Sequence, residues 1–215
     1  MIGQGVLDLL FPPRCVLCHK LLPHSREPVC EACAGKILTQ PGQIYRGEHF
    51  THCRAPFVYE DQVRRSIHRF KFGGRDFYAP TYAAWMAALL VREGESACDL
   101  VTFVPSSKKS KKHRGYDQAE LLAGELAKLL EMPVATLLTS VGNRPSQRKM
   151  PDAQARRDNV KNTFAVRSGE EASGKRLLLV DDVITTGATL ESCAKMLKKA
   201  GAAEILCITV AMTKQ

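Results

Sequence analysis

Four consecutive aliphatic residues, Leu177–Val180, run straight into two adjacent acids, Asp181 and Asp182, and then into Val183-Ile-Thr-Thr-Gly-Ala-Thr189. The aliphatic run is too short for a helix before the acids. It reads as a strand buried on both faces, the habit of parallel sheets covered by helices. A tight loop containing Gly187 then leads into a helix expected over Thr186–Ala200, with Leu190, Cys193, Ala194 and Leu197 inward and Gly201 as its C-terminal cap. Backbone N–H groups of such a loop converge, and the helix dipole favours an anion among them. Thr185, Thr186 and Thr189 add hydroxyl donors suited to phosphate oxygens, and Asp181 and Asp182 suit a pair of vicinal hydroxyls. A phosphate beside a diol describes a ribose 5-phosphate. An ordinary capped helix after a strand explains the glycine and one threonine, but not two adjacent acids at the end of a buried strand.

The same alternation of strand and helix extends over most of the chain. Ala55–Glu60 is a short strand candidate, followed by a helix through Asp61–Phe72 that Gly73-Gly74 stops. Thr81–Arg92 is apolar enough for a buried helix, and Leu100–Val104 reads as a buried strand leading at once into Pro105 and a basic loop. Tyr116–Glu131 is a helix with Leu122, Leu126, Leu129 and Leu130 on one stripe. A long polar loop over 140–162, with a helical turn around Asp152–Asp158, and a last strand over Glu204–Met212 complete the pattern. The expected fold class is α/β with a parallel sheet covered on both faces. Residues 1–54 lack long periodic segments and are rich in Cys, His, Pro and Gly, so a small module over 1–54 and a larger domain over 55–215 are expected. The 215 residues suffice for one medium domain and such an appendage. The most apolar stretch, Trp85–Val91, is far short of the roughly 18 residues that read as a membrane span. With Asp8 and no early Lys or Arg, the N-terminus does not read as a secretory signal.

Four of the eight cysteines form two tight pairs, Cys15/Cys18 and Cys30/Cys33, while Cys53, Cys98, Cys193 and Cys207 are scattered. A secreted disulfide scaffold is shorter and more evenly stitched, so these pairs point to metal in a reducing cytosol. Two thiolates three residues apart on a turn face one ion, and two such turns complete a sulfur tetrahedron suited to Zn²⁺. Four closed thiolates leave no open coordination position, so the metal would be structural. Dithiol redox chemistry is the rival reading, disfavoured because neither pair opens a helix after a strand of the βαβ type. His49, His52 and Cys53 offer three further donors, and ordinary loop residues are the favoured reading for them.

The net charge of +9 is concentrated in three short segments, with five basic groups against one acid over Asp61–Arg75, five against none over Pro105–Tyr116, and six against two over Arg144–Lys161. Such clusters attract a polyanion, either nucleic acid or a small ligand with several phosphates.

The run from Leu177 to Thr189 resembles the type I phosphoribosyltransferase signature of apolar residues, two acids and a Thr-Gly-x-Thr loop. Val104-Pro-Ser-Ser-Lys108 resembles that superfamily's pyrophosphate loop. His113-Arg-Gly-Tyr-Asp-Gln-Ala-Glu-Leu-Leu122, Arg144-Pro-Ser-Gln147, Arg156–Asn159, Phe164 and Ile67-His-Arg-Phe-Lys-Phe-Gly-Gly74 are similar to the ComF competence group within it, which also carries cysteine pairs before the transferase domain. The resemblance spans nearly all of 15–211. It implies a type I phosphoribosyltransferase fold with a small N-terminal four-cysteine zinc module, and a site for phosphoribosyl pyrophosphate (PRPP) with Mg²⁺. Asp181 and Asp182 would hold the ribose hydroxyls. The loop Ile184, Thr185, Thr186, Gly187, Ala188 and Thr189 would cradle the 5-phosphate. Pyrophosphate would meet backbone groups at Ser106, Ser107 and Lys108, with the loop around Gln147, Arg148 and Lys149 closing over it. Only Thr213-Lys-Gln215 follow the last strand, so acceptor recognition is expected to fall to residues 1–75.

Recognition of a site is not recognition of a reaction. A ComF-like factor in uptake or processing of single-stranded DNA during natural transformation is the first reading. It would be cytoplasmic, bind PRPP as substrate or regulator, and work beside proteins of the uptake machinery. A salvage phosphoribosyltransferase acting on a free base is the second, and a catalytically inactive nucleic-acid adaptor the third.

Overall fold

The computed structural model describes residues 12–23, 27–39, 42–141 and 163–214. Its central sheet contains β1 (Gln43–Tyr45), β2 (His52–Ala55), β3 (Phe57–Val58), β4 (Leu100–Phe103), β7 (Arg176–Ile184) and β8 (Glu204–Met212). The order across it is β1-β2-β8-β7-β4, with β3 pairing the end of β8 beyond β2. All pairings are parallel except β1 on β2, which is antiparallel. Two further strands, β5 (Leu138–Ser140) and β6 (Phe164–Val166), form a separate antiparallel pair.

Among the described residues, six α-helices accompany the sheet: α1 (Glu31–Thr39), α2 (Asp61–Phe72), α3 (Ala79–Arg92), α4 (Lys108–Arg114), α5 (Gln118–Leu129) and α6 (Ala188–Lys199). The period-2 alternation of the central strands explains the layering. Leu178, Val180, Val101, Phe103, Leu206 and Ile208 face one core, which they share with Ile67 and Phe70 of α2, Tyr82 and Met86 of α3, and Leu122 and Leu126 of α5. Leu177, Leu179, Leu100, Ile205 and Cys207 face the other, against Leu190, Cys193, Ala194 and Leu197 of α6 and against Leu138 and Phe164 of the small hairpin. The four residues assigned inward on α6 are all buried, and Gly201 follows the helix at φ 90°.

Several sequence expectations change. The strand at Leu177–Val180 continues through both acids to Ile184, because β8 keeps pairing with it as far as Met212. Helix α6 therefore begins at Ala188 instead of Thr186, after Gly187 at φ 75°. The strand expected over Ala55–Glu60 is two short pieces separated at Pro56, and the sheet draws in Gln43–Ala55 from before the composition change at residue 55. Strands of three and four residues are too short to show a period. In α5 the stripe fails at its end: Leu129 is 53% exposed at the last helical position, while Gln118, Ala119 and Ala123 complete the buried face. The basic loop after Pro105 contains helix α4, capped by Ser107 Oγ accepting from the Ser110 N–H at 3.2 Å. The turn expected around Asp152–Asp158 lies outside the described residues.

An ion network anchors the β1–β2 edge. Arg54 on β2 donates from Nε and Nη2 to Glu95 at 2.8 and 2.7 Å, and His52 Nε2 lies 2.8 Å from the same carboxylate. Burial alone would raise the Glu95 pKa, but hydrogen bonds from Arg54 and His52 outweigh it and hold it below its ordinary 4.5. A depressed carboxyl pKa stabilises the fold above the unfolded value, and that contribution is lost as pH falls through the folded value. Glu95→Gln is expected to cost about 1–2 kcal/mol at neutral pH, because the charge-assisted pair becomes a neutral contact. Urea titrations of both proteins should converge below pH 4.5. A difference that persists in acid would remove the ion network as its cause.

Candidate functional site

The carboxyl ends of β4 and β7 open onto a cleft of about 890 Å³. Ligand sites of open α/β sheets lie at this edge, where successive connections diverge from neighbouring strands. Asp181, Asp182, Ile184, Thr185, Thr186, Gly187, Ala188 and Thr189 all line it. So do Ser106 and Ser107, with Lys109, Ser110, His113 and Arg114 of α4 beyond them. Lys108 sits exposed in the first turn of α4, and Lys109 takes the place in the wall. Gln147, Arg148 and Lys149 lie outside the described residues.

Local geometry explains why the turn needs glycine. A Cβ on Gly187 would stand 2.7 Å from the Tyr45 hydroxyl, in a left-handed conformation that already disfavours side chains. Tyr45, at the end of β1, donates its hydroxyl to the Thr186 carbonyl at 3.4 Å and stacks on Phe50 with ring centroids 6.1 Å apart. Across the cleft, Asp117 Oδ2 accepts the Ser106 N–H at 2.7 Å and fixes the Pro105–Ser107 turn. One backbone donor expected to face pyrophosphate is therefore directed inward. Burial pushes the Asp117 carboxyl above its ordinary value, with the Ser106 hydrogen bond opposing.

Lys71 stands beside the acid pair, a place to which the sequence reading did not assign it. Its Nζ lies 2.8 Å from Asp182 Oδ1, and the two side chains are only 23% and 12% exposed. Burial would lower its pKa, yet the charge and hydrogen bond of Asp182, with Asp181 behind it, hold the ammonium above the usual lysine range. The acid pair thus carries a built-in counter-ion from α2. His68, Lys71 and Phe72 share one helix face at i, i+3 and i+4, and all three line the cleft.

The opposite face of α2 holds the cysteine cluster. Ser66 Oγ donates to the Val16 carbonyl, and Arg69 Nη2 donates to the Val16 and Leu17 carbonyls at 2.9 and 2.8 Å. Val16 and Leu17 lie between Cys15 and Cys18, so α2 grips the first cysteine turn directly. The sulfurs of Cys15, Cys18, Cys30 and Cys33 all lie within 4.8 Å of one another. A tetrahedral Zn²⁺ with bonds of about 2.3 Å separates its sulfurs by about 3.8 Å, and Cys18 and Cys30 Sγ stand 3.7 Å apart. Burial raises the Cys15 thiol, but the backbone N–H groups of Cys18 and Cys30 outweigh it and bring it down to about 7. Burial raises Cys18 and Cys33. Four thiols gathered this closely fit a metal centre. The second pair does open a helix, α1, but the described residues just before it, 27–30, form a bend and no strand.

The remaining donors do not gather. His49 Nδ1 lies 2.9 Å from Glu191, His52 pairs with Glu95, and Cys53 is fully buried beside Thr209. Among the described residues only the four-cysteine group brings three or more such donors together. No disulfide joins any of the cysteines among the described residues, and no described helix is long and apolar enough to cross a membrane.

Comparison with known proteins agrees with both halves of this arrangement. Residues 6–44 match the double zinc ribbon domain family, and residues 117–215 match the phosphoribosyl transferase domain family. Competence protein F of Haemophilus influenzae is 31% identical, over 89% of this chain and 93% of that protein. Competence protein ComFC of Bacillus subtilis is 25% identical over 91% and 76%. The DNA utilization protein YhgH of Salmonella typhimurium is 31% identical over 92% and 96%.

Proposed function

This chain belongs to the competence protein F family, and from that premise we propose that it binds PRPP with Mg²⁺ in its cleft and serves the handling of single-stranded DNA in the cytoplasm during natural transformation. The observation that carries the reading is the convergence on one cleft of the Asp181–Asp182 pair, the Gly187 turn at the start of α6, and the cationic wall of α4. These are the three parts a phosphorylated ribose bearing a second phosphate group requires: acceptors for the diol, backbone donors for the monophosphate, and positive charge for the pyrophosphate. Hard oxygen donors at Asp181, Asp182 and the threonines suit Mg²⁺, which binds through one or two carboxylates plus substrate phosphates. When bound, the ion would neutralise charge on a departing pyrophosphate. Zn²⁺ at Cys15, Cys18, Cys30 and Cys33 would be structural, holding the turn that α2 grips. The names of the relatives, competence proteins and DNA utilization proteins, support DNA as the process served.

Calorimetric titration with PRPP tests the site. Saturable binding that tightens when Mg²⁺ is added is the expected result, and no heat with Mg²⁺ present would remove the reading. The DNA arm uses fluorescence anisotropy with a labelled oligothymidylate at several salt concentrations. Each phosphate contact on a single strand contributes about −0.7 to the log–log slope, so three to five contacts give roughly −2 to −4. Replacing Lys108, Lys109, Lys111 and Lys112 by Ser should flatten that slope. Absence of binding even at low salt would shift the function to a transferase acting on a small acceptor.

A further inference from the structure

The phosphoribosyl reading accounts for three walls of the cleft and leaves a fourth, formed by Tyr59 and the outward face of α2 with His68, Lys71 and Phe72. Phe72 is 44% exposed there, although Ile67 and Phe70 on the same helix are completely buried. A phenyl ring half exposed on the wall of a cleft forgoes favourable burial, and here it stands against a histidine and an arginine. The His68 ring lies 4.9 Å away at a 46° tilt, and the Arg114 guanidinium sits over the Phe72 ring at 4.8 Å. Arg114 is itself fixed, donating from Nη1 to Gln118 Oε1 at 2.6 Å. Imidazole, phenyl and guanidinium groups gathered in this way offer planar surfaces to a nucleobase, through stacking that tolerates any base.

The occupant is narrowed by what lies outside the cleft. Five residues along the chain, Phe77 is 59% exposed with the Arg75 guanidinium 5.6 Å from its ring centre, which repeats the arginine-over-ring arrangement. Of the four aromatic side chains in this segment, Phe70 and Tyr78 are buried in the core, whereas Phe72 and Phe77 face outward. Of the α4 lysines that do not line the cleft, Lys108 and Lys112 have no carboxylate partner among the described residues, and Lys111 pairs with Glu120 at 2.6 Å. A free base needs one ring and no cations beyond those that the pyrophosphate uses. A single strand needs more than one stacking surface and cations for its phosphates; Phe72 and Phe77 offer the first, and Lys108 and Lys112 the second. We infer that Phe72, His68 and Arg114 form a stacking platform that receives a base of single-stranded nucleic acid beside the Asp181–Asp182 end of the cleft. The inference rests on the proposed function for what fills the rest of the cleft.

The test compares wild type, Phe72→Leu and Phe72→Tyr for binding of labelled oligothymidylate across a salt series, together with their melting temperatures. Phe72→Leu keeps an apolar side chain and removes the π face. It should weaken binding about tenfold or more while leaving the salt slope unchanged, because no phosphate contact is lost. Phe72→Tyr should restore the affinity. Unchanged affinity in Phe72→Leu, a flattened slope, or failure of Phe72→Tyr to rescue a well-folded protein would each overturn the platform. A competition arm with free thymidine separates the two sources of a base: displacement at concentrations comparable to unlabelled oligothymidylate would overturn the single-strand assignment. PRPP titration of the wild type is run in parallel. Its failure would remove the phosphoribosyl reading while leaving the Phe72 result on DNA to be judged on its own.

Discussion

Replacing Cys30 by Ser is expected to strip the N-terminal module of its metal and of its structure together. Among its described residues the module has little else to hold it. Its own buried cluster is Cys15, Leu17, Leu22 and Cys33, so half of that cluster consists of metal-ligand candidates. Burying two leucines offsets only a few kcal/mol of chain entropy, roughly what two or three ordered residues cost. A structural Zn²⁺ in a four-thiolate site contributes on the order of 10 kcal/mol or more. Loss of one thiolate opens the tetrahedron, so metal analysis should fall from about one zinc per chain to a small fraction of that. Limited proteolysis should then cut within the first cysteine turn. The sheet domain, whose two cores are built from residues after Tyr45 with the exception of Val16, should stay folded by circular dichroism. The effect should also reach the cleft, because Ser66 and Arg69 hold the Val16 and Leu17 carbonyls from the same helix that carries Lys71. Less than about half an equivalent of zinc in freshly purified, reduced wild type would count against the assignment.

What the sequence made legible follows the range of the forces involved. The Leu177–Val180 run, the α2 boundaries at Asp61 and Phe72 and the inward face of α6 were readable because burial imposes a period on contiguous residues. The cysteine cluster was readable because ligand spacing is itself local chemistry. Strands β1 and β2 were not, since β2 is held by a long-range partner, β8, and by the ion pairs of Arg54 with Glu93 and Glu95, and β1 pairs with β2. The same holds for the extension of β7 through both acids, which pairing with Thr209, Ala211 and Met212 enforces against the local preference of Asp for loops. Lys71 was hidden for a related reason. Within the basic segment Asp61–Arg75 it is one cation among five, and only the fold brings Asp182 to it. Phe72 and Phe77 could not be told from Phe70 and Tyr78 by composition; helix register separates the first pair of neighbours and the turn after Gly73-Gly74 the second.

Neutralising the acid pair is the change expected to act most strongly on the cleft. Asp181→Asn and Asp182→Asn keep size and shape but replace a charged acceptor of the ribose hydroxyls by a weaker neutral one. Affinity for PRPP with Mg²⁺ should fall at least about tenfold in each variant, a loss of roughly 1.4 kcal/mol. The two differ in what they do to the free protein. Asp182 is the partner of Lys71 at 2.8 Å, so its loss leaves a largely buried ammonium facing Asp181 alone. Removing one member of a partly buried pair costs about 1–3 kcal/mol, less than for a fully desolvated one. Asp182→Asn should therefore melt earlier than Asp181→Asn, whose carboxylate accepts the Asp182 N–H at 2.8 Å, a bond the amide oxygen of Asn can still accept. The pH dependence has a definite sign. A lysine pKa raised in the folded state contributes stability below its ordinary 10.5 and loses it as pH rises through the raised value. The gap in melting temperature between wild type and Asp182→Asn should thus be full at neutral pH and close in strong alkali. Calorimetry supplies the affinities and scanning calorimetry the stabilities. Undiminished PRPP affinity in both folded variants would remove the phosphoribosyl site from this edge of the sheet, and a melting gap that ignores alkali would remove Lys71 as its counter-ion.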